Sequence, residues 1–361
     1  MKNLPIKALI ASFALTLTAC NSSVEEPLTP AQKLIAKLNS AVAQDKIMVG
    51  HQDATSYGHS WKFEADRSDV RDIVGDYPAV MGWDLGDIEF EGDVDNLDGV
   101  PFDFIKQEII KQDARGGINT ISWHAHNPVQ GSSWTEGTGM VTSILPGGEN
   151  YDSFQERLGR VADFLSSLRN AEGELIPIIF RPWHEHDGNW FWWGEKWCTH
   201  EEYRQMWDMT YNFMQQRELV NLVWCYMPAP DGEDKTPDVA QFDMVGLDEY
   251  PHNGKMEVYK KRFQQKLDTL KYYGEKYDKL ITISETGNET LRESDWFTAT
   301  VLPLIEGQGV SYVLFWRNAW DKPTHFFCSY KGHESEPDFK AFVDSDTIIT
   351  ASEFAKIESD L

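Results

Sequence analysis

The segment Arg181-Pro182-Trp183-His184-Glu185-His186-Asp187-Gly188-Asn189-Trp190-Phe191-Trp192-Trp193-Gly194 sets carboxyls and imidazoles among indoles. A carboxyl so placed is poorly hydrated, which raises its pKa and lets it stay protonated near neutrality, as a general acid must. Glu185 is the candidate donor; an ion pair with Arg181 or Arg317 is the purely structural use of the same side chain. A second segment, Ile281-Thr282-Ile283-Ser284-Glu285-Thr286-Gly287, ends an apolar run in a carboxylate beside small residues, which leave room for a ligand to approach closely. Alone, a Glu after a strand is more often a surface or ion-paired residue. Two glutamates at the ends of different strands can face each other across a barrel mouth, and cleavage of a glycosidic bond needs two carboxyl groups so opposed.

Other chemistries fit less well. His184, His186 and His200 lack the H-E-x-x-H spacing of a zinc helix, and a His beside a catalytic carboxyl more often donates a hydrogen bond. Asp93, Asp95, Asp98 and Gly99, in the acidic stretch from Asp84 to Asp98, look superficially like a calcium loop. Leu97 stands where an oxygen ligand is required, so a solvated acidic loop is expected. There is no G-x-S-x-G elbow of a serine esterase. Neither metal nor cofactor is expected. A formal charge of −25, from 58 acidic against 33 basic residues, repels nucleic acid. The 14 Trp, 13 Tyr and 19 Phe exceed what a core needs, which places rings at the surface, where flat uncharged ligands such as sugars stack.

The elements that must position these residues recur along the chain. Short apolar, β-branched runs extend from Lys46 to Gln52, Ala79 to Asp84, Ile118 to His124, Ile176 to Pro182, Asn221 to Met227, Met244 to Asp248, Leu280 to Glu285, and Val310 to Arg317. Helical patterns fall between many of them. The clearest has Phe154, Leu158, Val161, Phe164, Leu165 and Leu168 on one face, with Ser153 and Glu156 as its capping box. Near-continuous apolar runs alternating with helices indicate parallel strands covered on both faces. With 361 residues, 41% of them hydrophobic, and no Gly-rich nucleotide turn after the first strand, the pattern predicts a single (β/α)8 TIM barrel rather than a doubly wound sheet. The competing count has seven strands, one run being a buried loop. In a barrel the chemistry sits at the C-terminal face. The run ends there supply His51 and Gln52, Trp83 and Asp84, Trp123 and His124, His184 and Glu185, Tyr226, Asp248 with Tyr250, Glu285, and Trp316 with Arg317.

Residues 1–20 are an address, with Lys2 and Lys7 before an apolar run from Ala8 to Leu17 that is too short for a permanent membrane helix. The ending Leu17-Thr18-Ala19-Cys20 resembles a bacterial lipoprotein signal and implies lipid on Cys20; Asn21 with Glu25 and Glu26 suggests an outer-membrane protein facing the periplasm or the cell surface. Residues 21–30 read as a tether and residues 31–361 as the catalytic barrel. Of the other cysteines, Cys225 lies in an apolar run as a small hydrophobe, and Cys198 and Cys328 fall in loops where they could pair.

The motifs His51-Gln52-Asp53, Ser122-Trp123-His124 with Asn127-Pro128, Arg181 to Gly194, Asp248-x-Tyr250, Ser284-Glu285-Thr286-Gly287 and Phe315-Trp316-Arg317 together resemble glycoside hydrolase family 26, the bacterial β-mannanases. They span about residues 47 to 320 in family order. The resemblance implies retaining, endo-acting hydrolysis of β-1,4-mannan, galactomannan or glucomannan to short products such as mannobiose, with Glu185 as acid/base and Glu285 as nucleophile. It implies that His184 and Tyr250 hold the nucleophile and the sugar at the cleavage point. It also implies that Trp316 floors that sugar, that Trp190 walls the leaving-group side, and that His124, Asp248 and Arg317 donate or accept hydrogen bonds nearby. His186-Asp187 departs from the amides of many members, and the loop from Pro128 to Tyr151, with Trp134, bears on the subsites. A β-1,3/1,4-glucanase or β-1,3-xylanase of the same family, or a non-catalytic glycan-binding lipoprotein, is the alternative. A retaining pair should stand about 5 to 5.5 Å apart, an inverting pair about 6.5 to 9.5 Å.

Overall fold

The computed structural model describes residues 27–92, 94–230 and 235–359. Residues 1–26, with the signal, Cys20 and most of the tether, lie outside them. Eight parallel strands form the barrel: β1 Ile47–Gln52, β2 Val80–Asp84, β3 Ile118–Trp123, β4 Ile178–Pro182, β5 Leu222–Tyr226, β6 Met244–Glu249, β7 Leu280–Thr286 and β8 Val310–Phe315. Each pairs with the next, and β8 closes onto β1 from Met48↔Tyr312 to His51↔Phe315. All eight expected runs are therefore strands, and the seven-strand count is set aside. Closure leaves no edge with unpaired backbone groups.

Strand parity assigns each side chain to a layer. Inward-facing Met48, Val80, Ile118, Ile179, Val223, Met244, Leu280 and Tyr312 fill the lower barrel together with Leu34, Leu38 and Ala41 of the helix Pro30–Ala43. That helix, held at its start by a Thr29/Gln32 capping box, plugs the N-terminal mouth. Above this layer space is made for polar groups: a Cβ at Gly82 would run into the Gln52 amide, and one at Gly246 into the Ser284 hydroxyl. Between Leu247 and Asp248 the β6–β7 register shifts, with Leu247 opposite Ile283 and Asp248 opposite Glu285. Ser284 is thus an extra residue, and a bulge of this kind re-aims the side chains beside it. Ser284 and Glu285, although consecutive, both reach inward groups: Ser284 Oγ donates to Asp248 (2.7 Å) and Glu285 meets Arg181.

Outward-facing residues pack under the helices. Trp83 and Trp123, strand-end residues by sequence, belong to this outer layer; Trp123 lies against Phe154 and Trp183, and Trp83 Nε1 donates to Asn119 (2.9 Å). Tyr226 is likewise buried outside the mouth, against Trp207 and Phe242. The helix predicted from Phe154 onward spans Tyr151–Ser166. It starts two residues before the expected capping box, so Ser153 lies within its first turn and donates to the Asn150 carbonyl (3.0 Å) instead of capping. Cys198, Cys225 and Cys328 are all free and buried, so the open Cys198–Cys328 pairing is not formed. Among the described residues no helix is long and apolar enough to cross a membrane.

Candidate active site

After β4 the chain takes two left-handed residues, Trp183 (φ 55°) and Glu185 (φ 52°). That region costs a non-glycine residue roughly 1 kcal/mol or more. It is held by neighbouring groups: Trp183 Nε1 donates to Thr210 Oγ1 (3.1 Å), Tyr203 Oη to the Trp183 carbonyl (3.0 Å), and Trp193 Nε1 to the His184 carbonyl (2.8 Å). The indoles of this segment therefore do two jobs. Trp183, Trp192 and Trp193 are buried and fix the turn, whereas Trp190 is 48% exposed and its Nε1 donates to Glu185 Oε2 (2.6 Å).

The turn brings Glu185 opposite Glu285. One oxygen each of Glu185, Asp248 and Glu285 lie within 4.8 Å of one another, a gap on the short side of that needed to seat a water between two carboxyls, about 6.5 Å or more. The two glutamates sit in unlike surroundings. Burial first, and the charge of Glu285 second, push Glu185 up to about 7. Glu285 receives donors on both oxygens, Arg181 Nη2 on one and Tyr250 Oη on the other (2.7 Å). Arg181 also pairs with Asp248 (2.9 Å). One carboxyl has its pKa raised toward neutrality and the other accepts a donor on each oxygen, unlike surroundings of the kind an acid and a nucleophile require.

These groups line a cleft of about 680 Å³ with His124, Trp134, Trp190, Tyr250 and Trp316. His124 Nδ1 stands 2.6 Å from Asp84 Oδ2. Burial works against a charged His124 ring, but the Asp84 carboxylate outweighs it and holds the pKa above the ordinary value. Trp134, 52% exposed, stacks on His124 at 5.0 Å, so the loop from Pro128 to Tyr151 does supply a wall of the cleft.

Other placements differ from the sequence expectation. His184 is buried behind the cleft, its Nε2 3.2 Å from His124 Nε2. It steadies His124, and Arg181 takes the place at Glu285 expected for it. Arg317 does not line this cleft; it pairs with Asp98 (3.0 Å) and donates to Tyr57 Oη (3.3 Å). Neither arginine pairs with Glu185. Asp98 is thus the tied end of a loop in which Glu91, Gly92, Val94 and Asp95 are exposed as expected, whereas Asp84, bound by Ser122 and His124, is buried. The sequence marks Arg181 as an ion-pair partner; the signal for more is a guanidinium two residues past Ile179, on the inward parity of an apolar strand. Lys266, which bridges Asp187 (3.1 Å) and Glu249 (3.6 Å) at the rim, sits mid-helix with no such signal.

The buried acids and imidazoles set opposite limbs of the stability curve. Burial, with help from Asp98, raises Asp53 to about 8, and burial raises Glu89 to about 7. With Glu185 these acids hold protons more tightly folded than unfolded, so their contribution is complete below about pH 4 and is lost as the pH climbs through 7 to 8. Burial lowers His51 to about 3, His186 to about 4, and His184 well below its usual value. These rings oppose folding wherever unfolded imidazole is charged, below about pH 6.5. Between about pH 4.5 and 6.5 the three acids and the three rings oppose one another, so the melting temperature should be nearly level there and fall as the pH rises from about 6.5 to 8. Calorimetry from pH 5 to 9 measures this, and a melting temperature still climbing at pH 9 would contradict the buried-acid assignment.

An eight-stranded barrel whose C-terminal mouth holds two opposed glutamates in an aromatic cleft defines a glycoside hydrolase. The chain belongs to glycosyl hydrolase family 26, whose model matches residues 24–267. It is similar to the solved GH26 β-mannanase of Bacteroides ovatus, with a TM-score of 0.87 and 39% identity over 92% of this chain and 99% of that one. It is 28% identical over 98% of its length to a mannan endo-1,4-beta-mannosidase of Bifidobacterium adolescentis, of which it spans only 38%. It is 25% identical, over 89% of this chain and 87% of the other, to the Bacillus subtilis strain 168 enzyme of the same name.

Proposed function

We propose that the protein is a retaining mannan endo-1,4-β-mannosidase acting on mannan, galactomannan or glucomannan. The observation that carries the mechanism is the short gap between two glutamates in unlike environments; the names of its relatives supply the substrate. In this reading Glu285 attacks the anomeric carbon while Glu185 protonates the departing glycosidic oxygen, giving a glycosyl-enzyme. Glu185 then takes a proton from water, which displaces Glu285. Tyr250 and Arg181 align the nucleophile, and Asp248 balances the second face of the guanidinium. Trp316 floors the sugar at the cleavage point, and Trp190 borders the leaving-group side while bonded to the acid. The product profile from mannohexaose tests the proposal, with the anomer followed by NMR and reducing-sugar release compared between mannan and lichenan. First-formed β-product from mannan supports it. First-formed α-product, or preferential release from lichenan or a β-1,3-xylan, overturns the corresponding part.

Because Glu185 must be protonated, kcat/KM should fall as the pH rises through about 7. Glu185→Ala should lose about 10² to 10⁴ in kcat on polymer and far less on aryl glycosides whose leaving groups need no proton. Equal losses on both substrates would remove the acid role.

We also propose that Cys20 is the lipidated N-terminus of the mature chain, with 21–30 as tether and 31–361 as the catalytic unit, held at the outer membrane. The support is the Leu17-Thr18-Ala19-Cys20 signal. Radiolabelled palmitate incorporated by the wild type and lost in Cys20→Ala is the expected result, and protease shaving of whole cells reports which face the barrel occupies.

A further inference from the structure

We infer that Trp320 and Lys62 form a sugar-binding platform outside the cleft, across the barrel mouth from the leaving-group side, and that it takes additional units of a long neutral glycan. The inference rests on the glycosidase reading above.

Topology gives the direction. Glu185 and Trp190 follow β4, and the leaving group must lie beside the acid. Trp320 follows β8, which stands four strands from β4 around the barrel in either direction. Lys62 belongs to the hairpin Tyr57–Gly58/Trp61–Lys62 between β1 and β2. A polymer leaving the cleavage point away from Glu185 therefore passes over this sector. The intervening surface is continuous: Trp316 lines the cleft, the adjoining Arg317 pairs with Asp98, and Lys62 Nζ donates to the next residue's carbonyl, that of Gly99 (2.8 Å).

Chemistry gives the ligand. Trp320 is 43% exposed, an indole left in water where a core would bury it. The Lys62 ammonium lies 4.8 Å from its ring centroid and 4.7 Å from that of Phe63, itself 40% exposed. An exposed indole is suited to the C–H face of a pyranose on the side the ammonium leaves uncovered, and the ammonium beside it retains donors for hydroxyls. The platform is also fixed beforehand. Asn318 Nδ2 donates to Asp69 Oδ2 (2.8 Å), and Asn318 Oδ1 accepts from the backbone N–H groups of Phe327 and Cys328 (both 3.0 Å). Asp69 in turn accepts from Trp61 Nε1 (2.7 Å). Binding there freezes little additional motion.

The test is the ratio of kcat/KM on mannohexaose to that on mannotriose. Trp320→Ala should lower this ratio about five- to tenfold, one lost ring contact, and Lys62→Met should lower it by a smaller factor in the same direction. A ratio within twofold of wild type for Trp320→Ala overturns the platform while leaving the mannanase reading intact. A wild-type enzyme inactive on both sugars removes the mannanase reading and the platform with it. Misfolding scales both rates alike and leaves the ratio unmoved, so it cannot imitate the expected result.

Discussion

Glu285→Ala is expected to lower kcat on β-mannan by about four orders of magnitude or more, the scale at which loss of one member of a coupled catalytic unit abolishes turnover. The variant keeps the acid, the aromatic floor and the cleft, so binding of manno-oligosaccharide should survive while chemistry stops. It also removes the carboxylate shared by Arg181 and Tyr250, leaving a small donor-lined space. With an activated aryl mannoside, azide can enter that space and attack directly, giving α-mannosyl azide. In Glu185→Ala the same anion would instead intercept the glycosyl-enzyme and give the β-anomer. The two variants thus yield opposite stereochemistry from one reagent, which NMR reads without kinetic modelling. Near-normal mannan hydrolysis by Glu285→Ala would refute the assignment.

Arg181→Met should cost about 3–5 kcal/mol of folding stability, the usual consequence of deleting one partner of a buried charge group. Arg181 is 2% exposed, and both of its carboxylate partners are similarly buried. No other guanidinium or ammonium pairs with either carboxylate among the described residues. Methionine fills much of the volume, so the loss reports charge rather than a cavity. Arg181→Lys keeps one charge but not the fork that reaches two carboxylates at once, and should recover only part of the stability. Urea unfolding near pH 6.5 measures both. Arg181→Met within about 1 kcal/mol of wild type would mean the charge cluster is not what holds the barrel mouth.

The strands were legible because both faces of a parallel barrel strand are covered, and sequence records this as uninterrupted apolar runs. The glutamate pair was legible for a related reason: each stands where such a run stops. What parity and register decide was harder to see. Trp83 and Trp123 end their strands as visibly as His124 does, yet the pleat turns them under the helices. The extra residue Ser284 leaves no mark in composition, although it lets two successive side chains face inward. Arg317 and His184 lie near the expected mouth, but their partners Asp98 and His124 come from distant loops and strands. Those pairings follow from packing, and no local pattern encodes them.

The helix Pro30–Ala43 closes the mouth opposite the catalytic one. Any attachment made through residues ahead of Pro30 therefore leaves the molecule from its sealed base. A catalyst held that way carries its groove on the face opposite the point of attachment, open to arriving polymer.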